Sequence, residues 1–355
     1  MNAEPEGGCA AEGSRLQELV EARINSGLLG HWYVVARSAD IRPGAVQAVK
    51  ALGRELVLWR APDGTLGCLE DRCPHRGARL SHGIVRASGI ACRYHGVTVD
   101  CAGRVAEVPA LGKSGLEGRH AVLNYRVREA SDGVFVYFPS QERPEPGELL
   151  LPPEITAPEH AHFLCTSVWP CNYRYAAENL ADPMHGIYLH AQSFTLALGA
   201  RQDTVELAAT STGFIVKRAG QQGVNFDWVE IVARPPLFHA RVLIPYPLAG
   251  GPGPAMTVIC FLTPVDEQSC RIFFWRTRQV QGVARETWRF MFRATFEDRH
   301  WEVLEQDREM LAAMREDARD HELLYQHDLG VARVRRYLAQ EARRQVQVEL
   351  ASEPR

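Results

Sequence analysis

The sequence predicts an α+β protein of two domains, in which a small all-β domain precedes an antiparallel sheet covered by helices. Two series of short apolar segments, bounded by turn residues such as Asp63-Gly64 and Asp132-Gly133, are typical of β-strands and hairpins. Between the two series, residues 139–160 contain six prolines, a composition typical of a semi-rigid linker. The chain of 355 residues is long enough for two domains of ordinary size.

The predicted elements follow this division along the chain. Residues 1–29 form a polar tail and a helix, because apolar residues recur there at helical spacing. Residues 30–139 hold the first series of strands, beginning with HWYVVARS, and form the all-β domain. Residues 140–165 are assigned to the proline-rich linker and residues 166–355 to the second domain. There a second series of strands precedes a long charged segment of helical period, so helices are expected to cover a sheet.

Composition excludes several classes of protein. Hydrophobic residues at 46% and charged residues at 23% are typical of a globular chain, and a net charge of −3 offers no basic face for nucleic acid. No run approaches the roughly 18 apolar residues that a membrane helix needs. The N-terminal segment lacks the basic start and apolar stretch of a signal peptide. We therefore expect a cytoplasmic protein that binds neither nucleic acid nor membrane.

Two of the nine cysteines lie near histidines at the spacing of metal ligands. Cys73-x-His75 and Cys92-x-x-His95 supply two thiolates and two imidazoles from two loops. Such a set fits tetrahedral Zn²⁺ or a [2Fe–2S] centre of the Rieske type, where two histidines replace two cysteines on one iron. Zinc sites usually pair two cysteines in one loop and two histidines in another. Each loop here holds one of each, which favours the Rieske cluster.

Most of the nine cysteines are expected to be small buried residues. Their number is odd and no export signal precedes them, so a reducing compartment makes a disulfide framework a poor expectation.

With its neighbouring Pro, Arg-Gly and His-Gly residues, the C-x-H…C-x-x-H pattern resembles the Rieske domain of the Rieske non-haem iron oxygenases. The resemblance covers roughly residues 28 to 345 and is greatest to the phthalate-type, homotrimeric branch. It implies a helix-grip-like catalytic domain after the Rieske domain. It also implies partners: an NAD(P)H-dependent reductase, acting directly or through a ferredoxin, and two further copies of the chain. In the respiratory Rieske proteins a disulfide clamps the cluster loops, but the corresponding positions here are Ala78 and Tyr94.

A second constellation lies in the segment ENLADPMHGIYLH, residues 178–190. His185 and His190 are five residues apart, a spacing that turns the second ring about 140° from the first on a straight helix. The two rings are either independent, as lone histidines usually are, or the helix is broken or bulged near Gly186 and the rings meet. The segment by itself leaves both interpretations open.

The resemblance favours the second interpretation. Asp182, His185 and His190 match the family motif Asp-x-x-His-x-x-x-x-His, which implies that both imidazoles bind one Fe(II) together with a distant carboxylate. In the family pattern that carboxylate lies in the helical segment after the sheet, where EDRHWEVLEQD matches with Asp298 as the ligand. Asp307 is the second choice among the acidic residues there, which are Glu297, Asp298, Glu302, Glu305, Asp307 and Glu309.

The family also implies a role for Asp182. In the trimer this carboxylate would bridge His95 of one subunit and His185 of the next, and would carry the electron path between the two metal sites. The alternative interpretation is a helix cap. Substrate is expected to contact apolar residues of the sheet and one amide near the iron, with candidates Asn179, Val224, Phe226, Trp228, Ile244 and Val258.

The sequence thus predicts the terminal component of an O₂-dependent oxidoreductase with one [2Fe–2S] cluster and one Fe(II) per subunit. It would hydroxylate, dihydroxylate or demethylate a small, aromatic substrate. The alternative is a non-catalytic Rieske electron carrier fused to a small-molecule-binding domain. Iron content separates the two hypotheses, because a carrier needs no mononuclear iron.

Overall fold

The structure is a computed structural model that describes residues 7–193, 196–246, 250–315 and 317–352, with side chains from residue 13 onward. The chain divides into two compact units. One is Trp32–Phe138, and the other is formed by the described segments on either side of it.

The first unit consists of short strands, as predicted for the all-β domain. They form three sheets, with strand orders β1-β10-β9, β2-β3-β4 and β5-β6-β7-β8. The strands are β1 (His31–Arg37), β2 (Val46–Ala51), β3 (Arg54–Arg60), β4 (Leu66–Glu70), β5 (Ile84–Arg86), β6 (Gly89–Ala91), β7 (Thr98–Val99), β8 (Val105–Glu107), β9 (Val127–Ala130) and β10 (Gly133–Phe138).

Local turn chemistry explains two of these connections. Between β3 and β4, the Asp63 carboxylate accepts the N–H of Thr65 at 2.9 Å, and Gly64 has a left-handed φ of 91°. Between β9 and β10, Ser131 and Asp132 both have positive φ, which a two-residue hairpin turn of the primed type requires. Both predicted hairpins are therefore present.

The second unit is built on one antiparallel sheet of seven strands, in the order β11-β17-β16-β15-β14-β13-β12. This confirms the predicted α+β class with a large antiparallel sheet. The strands are β11 (His160–Trp169), β12 (Val205–Ala209), β13 (Gly213–Arg218), β14 (Trp228–Arg234), β15 (Leu237–Ile244), β16 (Met256–Pro264) and β17 (Cys270–Gln279).

Helices accompany this sheet before, within and after its strands. They are α1 (Gly7–Ser26), α2 (Pro153–Thr156), α3 (Tyr173–Leu180), α4 (Gly186–Leu189), α5 (Gly282–Met291), α6 (Glu297–Ala312), α7 (Ala318–His321) and α8 (Leu329–Ser352). A π-helical turn, Phe292–Phe296, joins α5 to α6. No helix among the described residues is long and apolar enough to cross a membrane.

Two predicted boundaries need correction. The linker assigned to residues 140–165 includes the first half of β11, which pairs with β17 over its full length, from His160 opposite Gln279 to Trp169 opposite Cys270. The segment HAHFLC contains two histidines and follows a proline-rich stretch, so only its pairing with a distant strand makes it part of the sheet. Helix α1 also packs against α8, where Arg23 and Glu349 form an ion pair of 2.9 Å, and so belongs to the second unit.

One face of the sheet carries the core that positions the site. Alternate residues of β15 and β16, such as Val242, Ile244 and Cys260, are buried on this face with α3, α5 and α8. Trp288 of α5 and Ala176 of α3 are fully buried in the same cluster. The sheet therefore provides a rigid apolar wall facing the helices that hold the predicted histidines and acids.

Two helical glycines allow a test of this packing by the same substitution. At Gly13 of α1 an added Cβ meets no atom within 4 Å, so Gly13→Ala should raise the free energy of unfolding by about 0.5–1 kcal/mol. At Gly330 of α8 a Cβ would overlap the carbonyl oxygen of Ala181, so Gly330→Ala should lower it by about 1–3 kcal/mol. Urea unfolding of both variants checks the pair, and equal effects would contradict the packing of α8 on the end of α3.

Candidate functional site

The four predicted cluster residues lie in two loops of the same construction. In each loop the cysteine N–H donates to the carbonyl oxygen five residues on, and the cysteine carbonyl accepts from a glycine N–H four residues on, at 2.7–2.9 Å. Gly77 and Gly96, the two glycines, have left-handed φ of 78° and 75°. The motifs CPHRGA and CRYHGV therefore fold into matching turns.

These loops separate the thiols from the imidazoles. Cys73 and Cys92 are buried with their thiols in hydrogen-bonding contact, and burial foremost raises the pKa of Cys73. His75 and His95 are exposed, with ring centroids 4.7 Å apart. Like donors thus lie together, one pair inside and one at the surface. This fits a [2Fe–2S] cluster, in which two cysteines hold one iron and two histidines the other, better than a single zinc.

The second constellation lies where a helix is interrupted. Helix α3 ends at Leu180, and the chain cannot continue it because Pro183 follows. The single turn α4 then begins, with His185 at its N-cap and His190 at its C-cap. The helix is broken rather than bulged, and the two rings meet with centroids 5.3 Å apart and planes at 77°. The five-residue spacing is therefore accommodated by a one-turn helix with a histidine at each end.

Gly186 serves close packing in this turn. A Cβ at Gly186 would lie 2.8 Å from Cδ1 of Phe226, so no larger residue fits without displacing that ring. The Phe226 ring in turn packs against His185, with centroids 5.3 Å apart. Gly186 therefore lets the Phe226 ring, from the loop before β14, and the His185 imidazole approach each other.

The carboxylate beside the histidines is Asp307. Its Oδ1 lies 3.5 Å from Nε2 of His185 and 3.4 Å from Nε2 of His190. Ligand-capable atoms of these three side chains all lie within 4.8 Å of one another. Asp307 is buried on α6, whose neighbouring residues Val303 and Leu304 face the same cavity.

The expectation that Asp298 supplies this carboxylate is wrong in this structure. Asp298 is exposed in the first turn of α6. It precedes Asp307 by nine residues, which places it about 180° around the helix from Asp307. The apolar stripe of the helix, Val303, Leu304 and Leu311, includes position 307 and excludes position 298. Helical periodicity could therefore have found the correct acid.

Hydrogen bonds fix the orientation of both imidazoles. Nδ1 of His185 donates to the carbonyl oxygen of Asp182 at 2.6 Å, and Nδ1 of His190 donates to Oε1 of Gln306 at 2.9 Å. Because both partners accept, each Nε2 keeps its lone pair for a metal on the side of Asp307. Asn179 donates to Oδ1 of Asp307 at 3.2 Å. Gln306 is a residue that the sequence prediction missed.

Charge within this group shifts one pKa. Burial opposes protonation of His190, but the hydrogen bond and the charge of Asp307 outweigh it and hold the pKa of His190 above its ordinary value. The group therefore attracts a cation.

Asp182 has a more limited contact than expected. Its Oδ1 accepts the N–H of Met184 at 2.8 Å, which is a capping interaction, and its Oδ2 lies 3.8 Å from Nδ1 of His185. The side chain is 28% exposed. Within the described chain the backbone carbonyl of Asp182, rather than its carboxylate, orients His185.

An apolar cavity of about 100 Å³ adjoins the histidines and Asp307. Four of the predicted substrate residues line it: Asn179, Phe226, Ile244 and Val258. Val224 and Trp228 do not. The former is 40% exposed, and the latter lies on the face of β14 opposite the buried core positions of that strand. The prediction also missed two polar residues of the wall, Arg276 and His300.

Two family models match successive parts of the chain. Residues 31–126 match the Rieske [2Fe-2S] domain, and residues 169–344 match the vanillate O-demethylase oxygenase C-terminal domain. Fold and site together thus define a class of proteins in which a Rieske domain is followed by an oxygenase domain. The chain belongs to the Rieske non-haem iron oxygenases.

Individual relatives show how far the likeness extends. The chain is 29% identical over 216 residues to a vanillate O-demethylase oxygenase subunit of Pseudomonas sp. strain HR199, covering 59% of this chain and 56% of that protein. It is 26% identical over 285 residues to a phthalate 4,5-dioxygenase oxygenase subunit of Pseudomonas putida, covering 73% of this chain and 62% of that protein.

A solved structure covers the whole fold. It is the reduced complex between oxygenase and ferredoxin in carbazole 1,9a-dioxygenase, with a TM-score of 0.75 and 23% identity. The superposition covers 97% of this chain and 98% of that one, and it shows a shared fold.

The contact between Gly186 and Phe226 generates a test. Gly186→Ala should lower the free energy of unfolding by about 1–3 kcal/mol, because the new methyl group overpacks the ring. In the background Phe226→Leu, which removes the obstructing ring atoms, the same substitution should cost clearly less. A double-mutant cycle in urea measures this coupling. Additive effects would show that the two residues do not constrain each other.

Proposed function

We propose that the chain is the terminal oxygenase component of a multicomponent enzyme. A reductase would deliver electrons to a [2Fe–2S] cluster on Cys73, His75, Cys92 and His95, and O₂ would be used to hydroxylate, dihydroxylate or demethylate a small, aromatic substrate. One observation carries the proposal: two imidazole Nε2 atoms and one carboxylate oxygen converge at the wall of an apolar cavity. An electron carrier has no use for that arrangement.

His185, His190 and Asp307 would hold the mononuclear iron. Donor atoms bound at about 2.1 Å around one metal ion lie roughly 3.0–3.5 Å apart, and the distances of 3.4 and 3.5 Å to Oδ1 of Asp307 match that range. Two histidines and one carboxylate are the donor set of non-haem Fe(II) oxygenases, and they leave other positions open. When bound, the iron supplies activation of O₂.

The surrounding residues orient and shield this donor set. The Asp182 carbonyl and the Gln306 amide hold the two Nδ1–H groups, and Asn179 holds the carboxylate of Asp307. Apolar side chains of the sheet exclude water from the cavity beside the iron and leave room for an apolar ring. The substrate and the metal-binding atoms would thereby be held at a fixed distance and orientation relative to each other.

Asp182 would connect the two metal sites between subunits of a homotrimer. Its Oδ2 has no hydrogen-bond donor among the described residues, and its partly exposed side chain is available to a ring N–H of His95 from a neighbouring subunit. His95 is exposed in its own loop, so its outer edge is accessible. A shared carboxylate would orient both imidazoles.

Electron delivery would involve further proteins. The chain has no dinucleotide-binding fingerprint, so NAD(P)H would be oxidised by a separate reductase. A ferredoxin is a reasonable intermediate, since the carbazole oxygenase above was solved with one. We place this assembly in the cytoplasm.

The ligand assignment is tested by a matched pair of variants on α6. Asp307→Ala should bind mononuclear iron at least tenfold more weakly, about 1.4 kcal/mol or more, because the donor that contributes negative charge is lost. Asp298→Ala should keep that iron, since Asp298 is exposed on the opposite side of the helix. Iron quantification and the EPR signal of the reduced cluster check both variants. Loss of mononuclear iron from Asp298→Ala alone would contradict the assignment.

Asp182→Asn tests the path between the metal sites. Both metals should load, because asparagine keeps the size and the acceptor that caps Met184. An amide pairs more weakly with two imidazole N–H groups than a carboxylate does. Product per reduced cluster in a single turnover should therefore fall at least tenfold, about 1.4 kcal/mol on the limiting step. Parent-like turnover, or a fully active monomer, would overturn the proposed intersubunit path.

A further inference from the structure

One cationic side chain in the cavity wall has no hydrogen-bonding partner among the residues that the structure describes. Arg276 lies on β17 between Phe163 of β11 and Val258 of β16, and is 2% exposed. Its Nη1 and Nη2 atoms are buried without an acceptor among the described residues. It lines the same cavity as the two histidines and Asp307.

Arg278, two residues along the same strand, shows how this fold satisfies a buried arginine. Its three guanidinium nitrogens donate to the carbonyl oxygens of Gly250, Gly253 and Pro254 at 2.6–2.9 Å. Arg276 on the same face of the strand has no such set of acceptors. Among the buried arginines that the structure describes, Arg276 is thus the one with both terminal nitrogens unpaired.

Contacts around Arg276 offset only part of the free-energy cost of burying its charge. Its Cζ lies over the rings of Trp301 and Phe292, at 5.1 and 5.6 Å from their centroids. Burial lowers its pKa, and the nearby charge of Glu297 opposes that shift without forming an ion pair. Arginine keeps its charge at neutral pH in proteins. Burying that charge without an anion costs several kcal/mol, so the site is suited to receive one.

A second unpaired polar atom lies in the same wall. Within the described part of the chain Nδ1 of His300 is buried without a partner, while Nε2 lies 3.3 Å from the hydroxyl of Tyr246. Burial, aided by the charge of Arg276, lowers the pKa of His300 to about 3, so the ring is neutral. Burial raises the pKa of Tyr246 to about 12, so its hydroxyl keeps the proton. His300 can therefore offer one neutral hydrogen bond to a ligand.

We propose that the substrate is an aromatic carboxylate whose carboxylate group is bound by Nη1 and Nη2 of Arg276. The terminal guanidinium nitrogens present a planar fork that matches two carboxylate oxygens, and His300 supplies an additional hydrogen bond. The described cavity lining contains one charged residue besides Asp307, and that residue is Arg276. A bound acid would therefore place its charge at Arg276 and its apolar ring against the apolar residues of the lining.

The volume of the cavity limits the size of the aromatic ligand. The volume of about 100 Å³ compares with the roughly 150 Å³ of an engineered cavity that binds benzene, so a single ring is the expected occupant. This inference rests on the proposed function for its description of the ligand as a substrate. The contact itself is a binding property and can be measured without turnover.

Binding to the oxidised, metal-loaded full chain, measured by titration calorimetry, tests the inference. The probes are benzoate and 3-methoxybenzoate, each compared with its neutral amide. We expect each carboxylate to bind at least tenfold more tightly than its amide. Arg276→Gln should remove that preference, and Arg276→Lys should restore part of it, because a point charge replaces the fork. An intact cluster spectrum and iron content will establish that the variants are folded.

Arg293→Gln is the matched control. Arg293 is exposed in the π-helical turn and lies outside the cavity lining, so its loss removes an equal charge without touching the ligand. Its preference for carboxylates should equal that of the parent. Equal binding of acids and amides, no binding of either, or an equal loss in Arg293→Gln would overturn the inference.

A separate turnover assay distinguishes the two proposals. Carboxylate binding through Arg276 without product, when electrons and O₂ are supplied, would count against the proposed function and leave the binding inference standing. Product formed from neutral aromatics alone would support the oxygenase and overturn the role of Arg276.

Discussion

The interruption between α3 and α4 is the constraint on which the candidate metal site depends. Ala181 and Pro183 end one helix, and the single turn that follows holds a histidine at each end. Only this break lets rings five residues apart face one carboxylate. The same break frees the Asp182 carbonyl, which would otherwise be committed to a helical hydrogen bond, to orient His185. Backbone geometry thus supplies both the meeting of the donors and the orientation of one of them.

Charge is distributed unevenly across the second unit. Glu178, buried on α3, is paired with Arg319 and Arg335, and Arg278 is paired with three backbone carbonyls. These ion pairs and hydrogen bonds stabilise packing. Arg276 differs, since its terminal nitrogens have no acceptor among the described residues and it lines the same cavity as Asp307. Arg276, with both terminal nitrogens unpaired among the described residues, is therefore the arginine suited to a ligand.

Local patterns and tertiary packing contributed differently to the two metal sites. Both cluster loops are short turns, so the spacing of Cys73, His75, Cys92 and His95 already contains their geometry. The carboxylate of the second site comes from a helix distant in sequence, and a motif match placed it at Asp298. Rotation of α6 decides which acid faces the cavity, and the apolar stripe through Val303 and Leu304 is the signal of that rotation.

By itself the sequence determined the α+β class and the all-β unit, because strand periodicity and turn spacing are local properties. Its resemblance to a known family indicated the family and the pairing of the histidines. Only the tertiary structure decided that β11 joins the sheet, that Asp307 rather than Asp298 meets the histidines, and that Val224 and Trp228 lie outside the cavity. The tertiary structure also decided whether the guanidinium of Arg276 has hydrogen-bond acceptors. Whether a buried guanidinium is paired depends on which carbonyls distant loops bring within reach, and such loops bring them to Arg278 alone of these two neighbours.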